Sequence, residues 1–444
     1  DGTVTGNFTS AGGSDTFVNN GVFTGDITVG DGDNFVTNNG AIIGNLIAGD
    51  GNDTIIFGEG ASINGEVDPG TGENTLVGIS LGGGANAVTN TEVLDADITG
   101  EEGDDSVDNS GTVNGNVDLG DGDNTVDNSG TINDDLTTGA GSDAVDNSGT
   151  VNGSVSTGAE DDTVTNQSGG IINGDVDLGA AGEAGDAVEN AGTINGTVTG
   201  DCIIINNAAT GDIDEVGGVK SIITNFGNIS TVSSDDSNIR NDGTITTVNV
   251  GTLDLTNNAE GTITDIDTSG DALISNAGEI GAGGVMTAGT LDLTNTGSVS
   301  GDVQTAGSGD TVTNDGGTIT GGINLGGGGD ILTNNGGTIN GNIDLDNFND
   351  QLVNQASGLI TGDIDLGEGD NRLTNTGSAV IIGAIAGGSG ADTLENTEAD
   401  ITGNIELGDD LDSISNSGGT ITATTISTGT GGDTLLNEEG GTIT

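Results

Sequence analysis

The chain has 444 residues, of which 88 are glycine, and its formal charge is -68 because 71 acidic residues face only 3 basic ones. This charge excludes nucleic acid and direct insertion into anionic membranes, since both would repel the chain, and it favours divalent cations as partners. The single cysteine, Cys202, allows no internal disulfide, and no apolar run of about 18 residues predicts a membrane-spanning helix.

The spacing of apolar residues opposes the disorder that high charge and abundant glycine would otherwise predict. One unit occurs twice between Asn109 and Asn147, with a spacing of 19 residues. The unit is N-S-G-T-[VI]-N followed by a Gly- and Asp-rich turn. A fixed period of this kind is typical of solenoids. The sequence therefore predicts an all-β fold: a single elongated parallel β-solenoid (β-helix or β-roll) with rungs of roughly 19–21 residues.

Residues 1–200 form the first predicted block, a β-solenoid with Gly/Asp turns such as GDGDN at Gly30–Asn34. Its rungs are irregular around Gly58 and Gly78. The insertion AAGEAG at Ala180–Gly185 lengthens one rung, and we expect it to form a loop at one edge.

Residues 201–306 form a second block of variant rungs, in which the apolar positions and the asparagines persist but the turn motif is absent. The motif returns in the third block, residues 307–444, on slightly longer rungs. Because no linker-like segment separates the three blocks, we predict one continuous domain.

Within one unit, the sequence predicts that Ile132 and Leu136 lie in one extended segment. They are an even number of residues apart, so both should point to the same side, into the core. Val126 should form the opposite wall, while Thr131 and Asn133 point outward. Such a core is thin, and stacking of the rungs at about 4.8 Å is what makes it continuous.

The turn G-x-G-x-[DN]-x-[VIL] is the most specific signal in the chain. Its glycines allow positive φ angles and leave carbonyl oxygens exposed. In-register stacking would place acidic residues of successive turns about 4.8 Å apart, where each pair repels by about 1 kcal/mol even in water. An oxygen-only ligand set suits Ca²⁺, whereas the absence of histidine and of paired cysteines argues against zinc or copper. The alternative is that these turns are simple and carry solvated carboxylates.

The segments GDGDNTV at Gly120–Val126, GAGSDAV at Gly139–Val145 and GDGNDTI at Gly49–Ile55 resemble the calcium turn of repeats-in-toxin proteins, and the 19-residue spacing resembles the calcium-dependent solenoid of a large bacterial ice adhesin. Whole units resemble autotransporter passenger domains and related bacterial surface adhesins. The resemblance covers roughly residues 30–190 and 307–433, with one turn per rung instead of tandem nine-residue repeats. It implies that Ca²⁺ binds between rungs, with these ligands: Asp33, Asp53, Asp105, Asp123, Asp143, Asp162, Asp330, Asp370, Asp392 and Asp433.

Two other functions are weaker alternatives. A flat array of threonines, as in the T-[VI]-[NT] segments at Thr112–Asn114 and Thr420–Thr422, can order water in ice-binding proteins, but threonine is also favoured in strands and asparagine in ladders. A polysaccharide-processing enzyme is the second alternative. We predict no enzyme, because the chain has no histidine, Cys202 is followed by a run of isoleucines, and no Ser-x-Gly elbow or phosphate loop is present.

The sequence therefore predicts a non-enzymatic structural or adhesive element, extracellular or on the surface of a bacterium, whose partners are divalent cations and a surface or matrix ligand. The alternative is the subunit of an extracellular fibre that pairs with itself head to tail, because the chain begins (DGTVTG) and ends (EGGTIT) at the same phase of the unit. The start at Asp1, without an initiator methionine or a signal peptide, is expected to be processed or truncated.

Overall fold

A computed structural model describes residues 2–58, 61–72, 74–91, 93–181 and 185–444. Within these residues the regular elements are β-strands and their ladders are parallel, with successive rungs 19 residues apart in the most regular part. The prediction of an all-β parallel β-solenoid is confirmed. No helix of the described part is able to cross a membrane.

The chain divides into two units, which we call unit 1 (Asp1–Ile222 with Gly227–Ile229) and unit 2 (Ile223–Phe226 with Ser230–Thr444). This division falls inside the predicted variant block, 201–306, and at neither of its borders. Of the predicted insertion at Ala180–Gly185, residues 182–184 lie outside the described part of the chain.

Each regular rung carries three short strands, which lie on three faces. In the rung of Asn128, face 1 is Thr125–Asn128, face 2 is Thr131–Ile132 and face 3 is Leu136–Thr137. Val126, Ile132 and Leu136 are buried as predicted, with exposures of 2%, 0% and 0%. The prediction of one extended segment was wrong, because a turn separates Ile132 from Leu136 and each points inward from its own strand.

In-register pairing stacks the same position of successive rungs. Val107 is the Cα partner of Val126, which in turn is the partner of Val145, and equivalent columns run along faces 2 and 3. One or two apolar side chains per strand are therefore enough for a core, since each side chain packs against its own repeats above and below.

The strands of unit 1 form the following ladders. Before the rung of Asn90 they are Thr3–Thr5, Val22–Thr24, Ala41–Ile43, Ser62–Asn64; Thr16–Asn19, Phe35–Asn38, Thr54–Phe57, Thr75–Val77; and Phe8–Thr9, Ile27–Thr28, Leu46–Ile47, Glu66–Asp68. After it, face 1 comprises Ala87–Asn90, Ser106–Asn109, Thr125–Asn128, Ala144–Asn147, Thr163–Asn166, Asp186–Asn190 and Cys202–Asn207. Face 2 comprises Val93–Leu94, Thr112–Val113, Thr131–Ile132, Thr150–Val151, Ile171–Ile172 and Thr193–Thr199, which reaches face 3. Face 3 comprises Ile79–Ser80, Ile98–Thr99, Val117–Asp118, Leu136–Thr137, Val155–Ser156 and Val176–Asp177, with Ala159–Glu160 and Ala180–Ala181 paired beside it.

The strands of unit 2 continue the same construction. Asp212–Asn225 and Asn228–Asn241 contain residues of both units, and Thr244–Val250, Thr262–Thr268 and Glu279–Thr287 each run through faces 2 and 3. Face 1 comprises Thr252–Asn257, Ala272–Asn276, Leu291–Asn295, Thr311–Asp315, Ile331–Asn335, Gln351–Gln355, Arg372–Thr376, Thr393–Thr397, Ser413–Ser417 and Thr434–Glu438. Face 2 comprises Ser298–Val299, Thr318–Ile319, Thr338–Ile339, Leu359–Ile360, Val380–Ile382, Asp400–Thr402, Thr420–Thr422 and Thr442–Ile443. Face 3 comprises Val303–Thr305, Ile323–Asn324, Ile343–Asp344, Ile364–Asp365, Ile385–Ala386, Ile405–Glu406 and Ile426–Ser427.

The three faces exchange places near the irregular rungs at Gly58 and Gly78. The strand Glu66–Asp68 pairs on one side with Leu46–Ile47 and on the other with Ala87–Asn90, which belongs to a different face of the later rungs. A bridge between Ile63 and Leu81 marks the same shift on the neighbouring face. One rung is therefore offset by one strand, and the stack continues without losing its parallel pairing.

Buried asparagines at the end of face 1 form a ladder of side-chain amides. Asn109 donates from Nδ2 to Oδ1 of Asn128 at 2.7 Å, and Asn128 donates to Asn147 at 2.8 Å. Each Nδ2 also donates to a backbone carbonyl, for example from Asn109 to Thr131 O at 3.2 Å. In unit 2 the same ladder runs from Asn225 to Asn437. The ladder is interrupted near Gly58, where the strands exchange faces, because the Cα partner of Asn38 in the next rung is Phe57 instead of an asparagine.

We expect Asn147→Ala to destabilise unit 1 by roughly 2–4 kcal/mol, since it leaves ladder groups of both neighbouring asparagines unpaired in a buried site. The measurement is the shift in the urea midpoint. Asn133→Ala is the matched control, because Asn133 belongs to a similar ladder that is open to solvent. Equal shifts for the two variants would contradict the importance of the buried ladder.

Candidate metal-binding turns

The G-x-G-x-[DN] turns connect face 3 of one rung to face 1 of the next. In the turn Gly120–Asn124, both glycines have positive φ, 75° at Gly120 and 135° at Gly122. These angles are strained for residues with a Cβ atom. The last residue of the turn is buried directly before the strand, and we call this place the inner position. The residue before it is exposed, and we call its place the outer position.

The ten predicted ligands divide between these two positions. Asp53, Asp105, Asp143, Asp162, Asp330 and Asp392 occupy inner positions and are at most 2% exposed, whereas Asp433, also inner, is half-buried. Asp33, Asp123 and Asp370 occupy outer positions and are exposed. In those three turns an asparagine takes the inner position.

Inner side chains form a column of hydrogen bonds with one direction. Oδ1 of each inner residue accepts from the backbone N–H of the inner residue one rung earlier: Asp143 from Asn124 at 2.7 Å, and Asp392 from Asn371 at 2.9 Å. The same bond recurs through both units. One oxygen of every inner residue is therefore committed to holding the turns in register.

Outer aspartates accept from the rung that follows, whereas inner residues accept from the rung that precedes. Asp33 Oδ1 accepts from the Asn52 amide at 3.0 Å, Asp123 from the Ser142 amide at 2.9 Å, and Asp370 from the Ala391 amide at 2.8 Å, each in the following rung. Because they point into solvent, these three do not share a buried site with the inner carboxylates. Their assignment as ligands stays a prediction.

Four further buried inner aspartates were missed by the motif, namely Asp186, Asp310, Asp350 and Asp412, and so was the half-buried Asp15. Their turns do not spell G-x-G-x-D, and in the turn before Asp350 two non-glycine residues, Asp346 and Phe348, adopt the positive φ angles of 63° and 93°. The signal that identifies all four is D-x-[VIL]-x-N, in which the final asparagine belongs to the buried ladder.

Where asparagine fills the inner position, its Nδ2 is surrounded by carbonyl oxygens. Asn124 donates to Gly120 O at 3.1 Å and Gly122 O at 3.0 Å in its own turn, and to Thr138 O at 2.8 Å in the next rung. Asn34 makes the equivalent three contacts, at 2.8, 2.8 and 3.3 Å. These turns are therefore satisfied by the protein alone.

Where aspartate fills the same position, the group in place of Nδ2 is a carboxylate oxygen that has nothing to donate. Ten Oδ2 atoms are buried without a hydrogen-bond partner, those of Asp53, Asp105, Asp143, Asp162, Asp186, Asp310, Asp330, Asp350, Asp392 and Asp412. The next-rung carbonyl remains close to this oxygen, because a methyl group at Gly387 would overlap both Asp392 Oδ2 and the Leu407 carbonyl oxygen. The same holds at Gly100 for Asp105 Oδ2 and the Leu119 carbonyl oxygen, so these two turns are buried oxygen-rich sites with a net negative charge.

Burial raises the pKa of all ten of these carboxyl groups above the ordinary value of 3.8. It raises the pKa of Asp330 to about 7, and the charges of Asp350, Asp310 and Asp346 add to this shift. Burial likewise raises the pKa of Asp392 to about 7, with added repulsion from Asp412 and Asp370. The column therefore needs either protons or cations to be neutral.

The donor set fits a hard divalent cation. Each site offers a carboxylate oxygen and backbone carbonyl oxygens, which are the ligands that Ca²⁺ takes at 2.3–2.6 Å. Among the described residues no three His, Cys, Asp or Glu side chains converge on one point. A cation in these turns would therefore depend on carbonyl groups and water as much as on carboxylates.

The exposed T-[VI]-[NT] segments form a second ladder in unit 1. Asn133 donates from Nδ2 to Asn114 at 2.6 Å, Asn152 to Asn133 at 2.8 Å, and the column continues through Asn173 to Asn195. These amides bond to one another along the face. This favours the interpretation of the segments as strand ladders over the ice-binding alternative.

Comparisons with known proteins assign no family. No family model matches the chain, and no curated protein matches it. Among solved structures, a hyperactive, Ca²⁺-dependent, β-helical antifreeze protein from an Antarctic bacterium is similar at 16% identity, over 87% of this chain and 84% of that chain, with a TM-score of 0.22. At this identity and TM-score, the similarity carries no inference about calcium or ice for the present chain.

With excess chelator, we expect the melting temperature to fall between about pH 4 and pH 7. The folded pKa values of Asp330 and Asp392, about 7, lie above the ordinary 3.8, so the folded state holds protons that the unfolded chain releases, and stability declines with rising pH. Circular dichroism melts over this range provide the measurement. The double variant Asp330→Asn, Asp392→Asn should show a shallower decline, and an unchanged decline would show that these groups do not cause it.

Proposed function

We propose that this chain is a non-enzymatic structural or adhesive β-solenoid that acts on the surface of a bacterium or in its extracellular matrix, and that Ca²⁺ stabilises it. The observation that carries the calcium part is the set of ten buried Oδ2 atoms without a hydrogen-bond partner. Burying an unpaired carboxylate is costly unless a proton or a cation compensates it.

Calcium is the cation that the turn chemistry favours. It accepts six to eight oxygen ligands in flexible geometry, including backbone carbonyls and water, whereas Mg²⁺ demands near-ideal octahedral geometry and gives up its water reluctantly. A turn such as Gly388–Asp392 offers carbonyl groups and one carboxylate but no complete octahedral cage. Extracellular calcium, at millimolar levels, would be sufficient even for weak sites.

The structural or adhesive part is supported by the repetition of the exposed side chains. Asp108, Asp127 and Asp146 are Cα partners in successive rungs and all are exposed, and the exposed asparagine ladder repeats in the same way on face 2. Such faces present one chemical group many times at about 4.8 Å. This arrangement suits a repetitive ligand or a scaffold more than a single reaction centre.

The non-enzymatic part of the proposal is supported by composition. The chain has no histidine, a single cysteine and no tryptophan or tyrosine, so the usual nucleophile–base pairs and the aromatic platforms for sugars are missing from the sequence itself. Paired carboxylates remain, but with 71 acidic residues they occur throughout the chain and identify no site.

The calcium part is tested by melting the protein in Ca²⁺ and in chelator. We expect the melting temperature to be at least several degrees higher in Ca²⁺, because an ion bound only by the folded state stabilises it by mass action. Mg²⁺ at the same ionic strength is the control and should reproduce little of the shift. Identical melting curves in Ca²⁺, Mg²⁺ and chelator would contradict calcium binding.

The location is tested on the bacterium that carries the gene. Antibodies against the solenoid should label intact cells or the matrix around them, and deletion of the gene should reduce adhesion of the cells to a surface. Label found only after the cells are broken open would contradict an extracellular role. If the antibodies label intact cells but deletion of the gene leaves adhesion unchanged, the adhesive role is wrong and the structural role stands.

A further inference from the structure

We infer that the choice between asparagine and aspartate at the inner position determines which rungs bind a cation, with asparagine acting as a built-in replacement for the ion. This inference rests on the proposed calcium binding and specifies where it occurs. It assigns cations to the inner aspartates, including the four buried ones that the turn motif misses, and none to the inner asparagines: Asn34, Asn74, Asn86, Asn124 and Asn371.

The two kinds of turn have similar backbones. Gly120 and Gly122 before Asn124 have φ angles of 75° and 135°, and Gly139 and Gly141 before Asp143 have φ angles of 96° and 141°. Both inner side chains use Oδ1 in the same way: Asn124 accepts from the backbone amide of Asp105 at 2.8 Å, and Asp143 accepts from that of Asn124 at 2.7 Å. The remaining difference is the second side-chain atom, which is an NH₂ group in one turn and an oxygen in the other.

This second atom decides the electrostatics of the site. In the asparagine turns it donates to carbonyl oxygens of its own turn, as Asn86 does to Gly82 O and Gly84 O, both at 2.7 Å, and Asn371 does to Gly367 O and Gly369 O at 3.3 and 3.2 Å. In the ten buried aspartate turns the corresponding oxygen has no partner. At the half-buried inner residue Asp15, the Ser10 hydroxyl donates to this oxygen. A cation that binds the unpartnered oxygen and the carbonyl groups would supply the positive charge that the NH₂ group supplies elsewhere.

The asparagines divide the column into separate runs. In unit 1, Asp53 and Asp105 each have asparagine as the inner neighbour on both sides, while Asp143, Asp162 and Asp186 follow one another without interruption. In unit 2, Asn371 separates the run Asp310, Asp330, Asp350 from the run Asp392, Asp412, Asp433. Sites inside a run have a second carboxylate about 4.8 Å away, so cations should bind there most tightly.

Local hydroxyl groups distinguish the runs further. The Thr138 side chain lies beside Asp143 and the Thr157 side chain beside Asp162, and each lowers the pKa of its neighbour. Neither hydroxyl bonds to the buried Oδ2, since the Thr138 hydroxyl donates to the Thr157 carbonyl oxygen at 3.3 Å and the Thr157 hydroxyl has no partner. At Asp392 the residue in the corresponding place is Gly387, which has no side chain, and the space beside Oδ2 would be filled by a Cβ atom. The run from Asp392 to Asp433 should therefore depend on cations more than the run from Asp143 to Asp186.

Three variants of adjacent turns test the inference. Asp392→Asn supplies the missing NH₂ group, so it should reduce the number of Ca²⁺ ions bound per chain and shrink the difference in melting temperature between Ca²⁺ and chelator. Asn371→Asp should do the reverse, increasing the bound Ca²⁺ and lowering the melting temperature in chelator. Asp370→Asn removes an exposed carboxylate from the outer position of the same turn. It should leave the number of bound Ca²⁺ ions unchanged and raise the melting temperature in chelator only slightly, because the charge of Asp370 adds to the repulsion at Asp392.

Bound Ca²⁺ is counted by isothermal titration calorimetry and by elemental analysis of dialysed protein, and circular dichroism in Ca²⁺ confirms that each variant is folded. Asp330→Asn serves as the second inner variant if Asp392→Asn does not fold. If the natural chain binds Ca²⁺ but the inner variants bind as much as Asp370→Asn does, the inference is wrong while calcium binding stands. If the natural chain binds no Ca²⁺, both are wrong.

Discussion

Parallel, in-register stacking of rungs is the constraint on which the rest of the structure depends. It places Val on Val and Asn on Asn, so one residue type per position is enough to build a continuous core and a continuous amide ladder. It also has a cost, because any charge at a repeated buried position is repeated as well. The inner column is where this cost is concentrated, and asparagine, protons or cations are the ways in which it can be removed.

In the middle of the chain, uncharged residues occupy the inner position. In unit 1 the Cα partner of Asp186 is Ile203. In unit 2 the position is held by Ser237, Leu253, Ala272 and Leu291 in successive rungs, and the backbone amide of Leu291 donates to Asp310, the first residue of the acidic column in that unit. These rungs also lack the turn motif, and their strands run through two faces without interruption. The variant rungs therefore rely on apolar packing, buried serine hydroxyls and the asparagine ladder instead of inner carboxylates, and a chelator should affect them least.

The period of 19 residues made the fold and the core positions predictable, because identical residues at a fixed spacing have to stack. The same period marks the asparagines at the end of face 1, but the burial of their side chains and their amide ladder became evident only in the structure. The turn motif alone did not separate the inner from the outer position, since adjacent residues such as Asp33 and Asn34 differ in the direction their side chains take at the end of a turn; the spacing to the buried asparagine, D-x-[VIL]-x-N, separates them once the ladder is known. Asp350 escaped the motif because Asp346 and Phe348 adopt backbone angles that the motif reserves for glycine. The exchange of faces near Gly58 was unpredictable because strands of all three faces have the same apolar pattern and can pair interchangeably.

The central claim is that the buried oxygen of the inner aspartates is a cation ligand. A crystal structure of the chain grown with Ca²⁺, with anomalous data collected at a long wavelength, tests it most directly. The account predicts anomalous peaks beside Oδ2 of Asp330 and Asp392 and none beside Nδ2 of Asn124 and Asn371. Peaks only at the exposed aspartates of the outer position, or no peaks at all at Ca²⁺ concentrations that raise the melting temperature, would contradict it.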